Sequence, residues 1–262
     1  MRVRYFIPLI LLLALIAFLT VILKLQYFNV TDMVFSGNVK YTDNLLMKET
    51  NLKIHENGFK QLFEQGGKLY MLRFSKEEKH LMTALPYIKS ISIKYRMPNQ
   101  IIYSIEEREP VFYTGYLGTY LILDQEGTVL EVSENPYKDE LIFLSGFSFT
   151  TFKIGEKTDT EGADKIDYAY RAYITICKND TGGDYGYKFL PLIREFGFAD
   201  KKNMHINIDD IVLAIIPLNE DIEYNITSLQ DIFFKNIKSK GKGILDFTGV
   251  NPIFTPYAQV TD

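Results

Sequence analysis

The apolar pattern changes period several times along the chain, and the first stretch is the plainest. Residues 5–23 carry no charged side chain, and about 19 residues at ~1.5 Å each make a helix of about 28 Å, close to the thickness of a bilayer's hydrocarbon layer. Pro8 falls in the first turn, where its missing N–H costs little. A cleaved leader has a shorter apolar core and a small-x-small site. Here the run passes into Leu23, Lys24, Leu25, Gln26 and Tyr27 without such a site, so the segment reads as a retained signal-anchor. Arg2 and Arg4 precede it, which places the N-terminus inside and everything after Lys24 outside.

Beyond the anchor the pattern is mixed. Val30 to Phe35 reads as a strand closed by Ser36, Gly37 and Asn38, with Gly37 free to take a positive φ. Thr42 and Asp43 offer N-caps for a helix through Leu45 and Leu46. Ser75, with Glu78 three residues on, fits a capping box and predicts a second helix to about Leu85, stopped by Pro86. Ile88, Ser90, Ile91, Ser92, Ile93 and Tyr95 give a mostly alternating strand, and residues 100–107 its hairpin partner across Met97, Pro98 and Asn99. The order is strand, helix, helix, strand, strand. Residues 54–72 form a long connection between the helices, with room for a short helix around residues 59–63.

After Pro110 the chain is strand-like again. Leu117 and Gly118 mark a tight turn, and residues 204–208 and 211–216 form a second hairpin across Asp209 and Asp210. A helix is expected over about residues 164–178, and another opening at residues 228–231, apolar at Leu229, Ile232, Phe233 and Ile237. Ile244, Leu245, Asp246 and Phe247 make the last clear strand. The tail after Gly249 contains two prolines and reads as poorly ordered.

Composition narrows the function. With 29 Lys and Arg against 33 Asp and Glu, the net charge is −4, so no basic field exists to hold a nucleic acid. The charge divides as +3 for residues 1–27, +2 for 28–109 and −9 for 110–262, which marks a domain junction near Pro110. One cysteine, Cys177, excludes an internal disulfide and reads as a small buried apolar residue. His55, His80 and His205 sit in no nucleophile motif, and Gly241-Lys242-Gly243 follows a helix and precedes a strand, the reverse of a phosphate loop. No catalytic residue, cofactor or metal ligand is expected.

The string LPYIKSISIKYRMPNQIIYSIEEREPV at residues 85–111 resembles the end of a POTRA domain of the FtsQ/DivIB division-protein type. VFSGN at residues 34–38 is similar to that domain's first strand and turn, and Asp124, Gly127, Val129 and Leu130 to the D-x-x-G-x-V-L segment that follows it. The resemblance covers residues 5 to about 132, and the rest more weakly. It implies an α+β chain: a cytoplasmic tail over residues 1–4, a transmembrane signal-anchor over 5–24, a POTRA domain (β-α-α-β-β) over 28–109, a mixed β domain with flanking helices over 110–250, and a flexible tail over 251–262.

The same resemblance implies a non-enzymatic divisome scaffold in the bacterial cell membrane at the septum, bound to FtsB/DivIC-like and FtsL-like bitopic partners and coupling septal peptidoglycan synthesis to division. Ile244, Leu245, Asp246 and Phe247 then become an edge strand that a partner strand extends, with Phe233 or Phe234 as side-chain anchors. Ser90, Ile93 and Tyr95 become the recruitment surface of the POTRA unit. Lys235, Lys238, Lys240 and Lys242 are either a docking patch for an acidic partner helix or compensation for a helix C-terminus. The alternative function is a POTRA-bearing chaperone or secretion component that binds extended polypeptides, and a surface-anchored hydrolase ranks last.

Overall fold

The computed structural model describes residues 6–65, 68–136, 141–147, 151–158, 163–182, 188–237 and 241–257. The chain divides into two compact units, Met1–Arg108 and Glu109–Asp262.

The first unit opens with helix α1 (Phe6–Lys24), apolar and long enough to cross a membrane. Then come β1 (Asp32–Ser36), α2 (Asp43–Glu49), α3 (Gly58–Glu64), α4 (Ser75–Ala84), β2 (Ile88–Arg96) and β3 (Gln100–Glu107). The sheet order is β1-β3-β2, with β1 parallel and β2 antiparallel to β3. This is the β-α-α-β-β order with α3 added between the two helices. Alternation of apolar residues buries Ile91, Ile93 and Tyr95 of β2 with Ile101, Tyr103 and Ile105 of β3, against Leu46, Leu62 and Leu81 of the helices. A register shift between Ile88 and Ser90 explains why the alternation falters there. Gly37 is indispensable: its φ is +82°, and a Cβ would stand 2.0 Å from the Ile105 carbonyl oxygen.

Thr42 caps α2 as expected, its hydroxyl accepting from the Leu45 N–H at 3.4 Å. The capping box at Ser75 does not form. Phe74 is the N-cap, and the Glu78 carboxylate turns instead to the Ile93 N–H and the Arg73 guanidinium. A buried, charge-assisted bond to a strand N–H outweighs an exposed helix-end bond. Glu77 is likewise buried, and its carboxylate accepts from the Thr50 hydroxyl and the Asn51 N–H and side-chain amide. It pins the end of α2 to α4.

The second unit is built on one sheet. Its strands are β4 (Pro110–Tyr116), β5 (Thr119–Asp124), β6 (Val129–Ser133), β7 (Ile142–Ser145), β8 (Ile193–Gly197), β9 (Asn203–Ile208), β10 (Val212–Pro217), β11 (Gly243–Asp246) and β12 (Ile253–Pro256). The order is β12-β11-β10-β9-β8-β7-β4-β5-β6. Helices α5 (Ala163–Gly182) and α6 (Ile222–Ile232) pack on the face formed by Met204, Ile206, Ile208, Val212, Ala214 and Ile216. Arg171 and Glu223 join the two helices through a forked pair at 2.7 and 2.8 Å. The DQEG segment is a turn in which the Asp124 carboxylate accepts the N–H groups of Glu126 and Thr128.

Two expectations fail here. Helix α6 begins at Ile222 rather than at 228, and continues after Ile232 as a π turn, Phe233–Ile237. Its first turn reads polar in sequence, yet Ile222 and Ile226 are fully buried on the sheet. The tail is not uniformly loose either: Ile253–Pro256 forms β12. Prolines suit an outermost strand, where their lack of an N–H is not felt by the ladder.

Candidate functional site

The expected edge strand is not at the edge. β11 pairs in parallel with β10 on one side and antiparallel with β12 on the other. Ile244, Leu245 and Asp246 therefore have no bare main-chain row to offer, and Leu245 is buried in the core. Phe247 lies just past the strand, also buried, its N–H bonded to the Ile215 carbonyl. The sequence placed these residues last among the clear strands; the strand that covers them was hidden by its prolines.

The outer edge belongs to β12. The Tyr257 N–H donates to the Lys242 carbonyl, and Ile253 and Thr255 share its inward parity along the strand. Phe254 and Pro256 therefore turn their main-chain groups outward, and Pro256 has no N–H to give. Phe254 is the one residue of β12 with both an outward N–H and an outward carbonyl. Its ring covers Gly243, where a Cβ would lie 2.6 Å from the ring tip. Ile253 and Tyr257 point to the opposite face from Phe254 and are well exposed, as is Val250 in the preceding loop. At the far end of the sheet, β6 is partly covered, because Val129 exchanges hydrogen bonds with Gly155 and Glu156.

Phe233 is no surface anchor. It is buried, with ring centroids 5.5 Å from both Phe189 and Phe234, and Phe234 is half-buried 5.7 Å from Phe189. The π turn rotates both rings inward. Asp180 braces this cluster by accepting the N–H groups of Phe189 and Leu190 and the amide of Gln230. Of the lysines, Lys235 pairs with Asp231 at 2.7 Å and Lys242 is exposed, while Lys238 and Lys240 lie outside the described residues.

In the first unit, Ser90 is exposed and donates to Glu106 at 3.0 Å, but Ile93 and Tyr95 are buried and present no surface. The outer side of β2 is also occupied at that end. The Ile93 N–H goes to Glu78, its carbonyl accepts from Phe74, and the Tyr95 N–H goes to the Leu72 carbonyl. Burial pushes the Tyr95 phenol up to about 12. Tyr103 is raised too, chiefly by burial, with its hydroxyl 2.9 Å from that of Thr50.

The histidines stand apart. His55 holds a φ of 68° in an exposed turn, the His80 ring reaches the Glu49 carbonyl at 3.2 Å, and His205 lies 3.7 Å from Asp200. Among the described residues, no group of three His, Cys, Asp or Glu side chains could hold a metal ion. Cys177 is half-buried rather than buried, and desolvation raises its thiol pKa, which disfavours the reactive thiolate. A cavity of about 400 Å³ beside the Asp124 turn is lined by Glu126, Lys157, Thr158, Asp167 and Tyr170, with Lys157 and Glu126 paired at 3.0 Å.

Fold and edge together define a class of protein: a membrane-length apolar helix, a three-stranded unit of β-α-α-β-β order, and a nine-stranded sheet capped by a short proline-flanked outer strand. No family model matches the chain. The chain is similar to the cell division protein DivIB of Clostridium acetobutylicum, 32% identical over 136 residues that make up 52% of this chain and 50% of that protein. It is 29% identical to DivIB of Clostridium botulinum strain Hall over 164 residues, 62% of this chain and 58% of that protein. The chain spans about half the length of the curated relatives it matches. Both of these relatives are cell division proteins of the DivIB type. The solved extracytoplasmic domain of DivIB from Geobacillus stearothermophilus aligns with 51% of this chain and 98% of that one, at 11% identity and a TM-score of 0.33. A likeness at that score carries no argument, and the similarity rests on the sequence relatives.

Proposed function

We propose that this protein is a non-enzymatic divisome scaffold, held in the cell membrane by α1 with its N-terminus cytoplasmic and its two units outside. It joins FtsB/DivIC-like and FtsL-like bitopic partners at the septum and so couples septal peptidoglycan synthesis to division. The observation that supports this reading is the outer edge of β12, with the outward main-chain groups of Phe254 beside exposed Ile253 and Tyr257. An added partner strand would exchange hydrogen bonds with Phe254 and rest side chains on Ile253 and Tyr257. The docking strand is thus β12, not the Ile244 to Phe247 segment it covers. Few main-chain bonds suffice, because a shared membrane confines the partners to two dimensions and raises their effective concentration.

The test is capture of small coiled-coil membrane proteins by the full chain from a solubilised membrane of its own host. Phe254→Pro removes the outward N–H and sets the proline ring against an incoming strand, while every inward bond of β12 is kept. The expected result is at least a tenfold loss of capture. Because Phe254 also packs on the core, the exposed double variant Ile253→Asp, Tyr257→Asp serves as the second arm. Undiminished capture by both variants would sink the reading. Proline at Leu245 is unsuitable, since that N–H faces β10 and the fold itself would fail.

A further inference from the structure

Residues 25–31, between α1 and β1, are a joint and not a tether. The Asn57 side-chain amide donates to the carbonyls of Ile22 at 3.0 Å and Leu25 at 3.2 Å, while its oxygen accepts from the Lys60 N–H at 3.1 Å. One buried side chain therefore satisfies the last carbonyls of α1 and the first turn of α3 together. Rings continue the joint: Tyr27 to Phe28 at 5.3 Å, Phe28 to Phe59 at 5.2 Å, and Phe59 to Tyr95 at 5.2 Å. The Tyr95 hydroxyl donates to the Phe28 carbonyl at 3.1 Å.

This joint fixes the depth of α3. Ile22 lies in the last turn of α1, and a headgroup layer is about 5–8 Å thick on each side of the hydrocarbon. With α1 as a span, the N-cap of α3, hydrogen-bonded to that turn, lies at the level of this layer. The surface there suits it. Phe63 is four residues from Phe59, on the same stripe of α3, and 48% exposed. Tyr27 is 69% and Tyr70 79% exposed, the latter on a turn, Leu69–Met71, that Leu72 ties to Tyr95. Lys24, Lys60 and Lys68 are also exposed, Lys60 with Glu64 at 3.7 Å on the same helix. Aromatic rings with lysines among them are the side chains that partition to a bilayer interface.

We infer that α3 and the Leu69–Met71 turn are seated in the headgroup layer of the bilayer that α1 crosses, with Tyr27, Phe63 and Tyr70 as interfacial anchors. The partner is phospholipid, and the inference rests on α1 being a membrane span. The inserted connection between the helices thereby acquires a task, which is to hold the first unit at a set angle to the membrane.

The chain contains no tryptophan, so single-Trp variants of the full protein report one place each. Phe63→Trp, Tyr70→Trp, Val39→Trp and Leu15→Trp are reconstituted in phosphatidylcholine–phosphatidylglycerol vesicles carrying either a headgroup nitroxide lipid or a lipid brominated on its acyl chains. Val39 is exposed beyond the far end of β1, about 16 Å further from the joint at ~3.3 Å per residue. Nitroxide should quench Trp at 63 and 70 at least threefold more than Trp at 39, and bromine should quench Trp at 15. Trp at 63 and 70 quenched no more than Trp at 39, with Trp at 15 still quenched by bromine, overturns the inference and leaves the anchor standing. An unquenched Trp at 15 overturns the anchor and the inference with it.

Discussion

The carboxylate of Glu78 accepts the backbone N–H of Ile93 at 2.8 Å, joining α4 to the outer side of β2 by a side chain that sequence alone assigns to a helix cap. Arg73 completes the site at 2.5 Å, and the pairing raises the guanidinium's pKa. Glu78→Ala strands a buried N–H and should cost about 2–3 kcal/mol. Glu78→Gln keeps an acceptor and should cost less. Chemical denaturation of the two variants checks the order.

Gly58 lies under the Tyr95 ring, and an added Cβ would come within 2.3 Å of it. Gly58→Ala should destabilise the first unit by about 1–3 kcal/mol through overpacking. Because Tyr95 also holds Phe28, amide exchange of residues 25–31 should quicken in the same variant.

Asp180 gathers three donors from two segments, the Phe189 and Leu190 N–H groups and the Gln230 amide. Asp180→Ala should cost about 2–3 kcal/mol, since charge-assisted bonds are lost and donors beside Phe233 are left unpaired. Thermal unfolding of the variant is the measurement.

Gly243→Val places side-chain atoms where the Phe254 ring and the Thr255 carbonyl now lie, each 2.6 Å from where a Cβ would stand. Loosening of β12 by about 1–3 kcal/mol should speed exchange of the Thr255 and Tyr257 amides by roughly 10- to 100-fold. β11 would then become the edge.

Alkaline pH should weaken the fold. The Tyr95 phenol holds its proton to about 12 in the folded chain, and to about 10 when unfolded. Between those values the folded state binds more protons, so stability falls as pH rises through the window, by up to about 2–3 kcal/mol from this group. Tyr173, raised to about 12 by burial, adds in the same direction. Denaturation midpoints at pH 9 and 11.5 test the slope, and Tyr95→Phe should make it shallower, with Tyr103 and Tyr173 supplying the remainder.

Much of the architecture was legible because it rests on local chemistry. The Leu117-Gly118 turn has φ values of 45° and 88°, and the Asp209-Asp210 turn 52° and 54°, as Gly118 and the two aspartates advertise, while Leu117 takes a positive φ that its residue type does not favour. The short helix within residues 54–72 also stands, as α3. The partner edge was not legible. Whether a strand lies inside or outside a sheet depends on what pairs beside it, and Pro252 and Pro256 disguised the segment that does so. Ile93 and Tyr95 enter the recruitment surface through the family resemblance, whereas their alternation with Ser92 and Lys94 marks the face that the helices cover.

From its residues alone this protein had a membrane-length apolar helix, a β-α-α-β-β unit, a sheet-rich second unit and a family likeness, because periodicity, turn residues and charge-free length act over short spans of chain. The tertiary structure alone decided that β12 is the outermost strand, that Phe233 faces the core, and that Asn57 clasps the end of α1. Those outcomes depend on groups far apart in sequence competing for the same hydrogen bonds and the same buried volume.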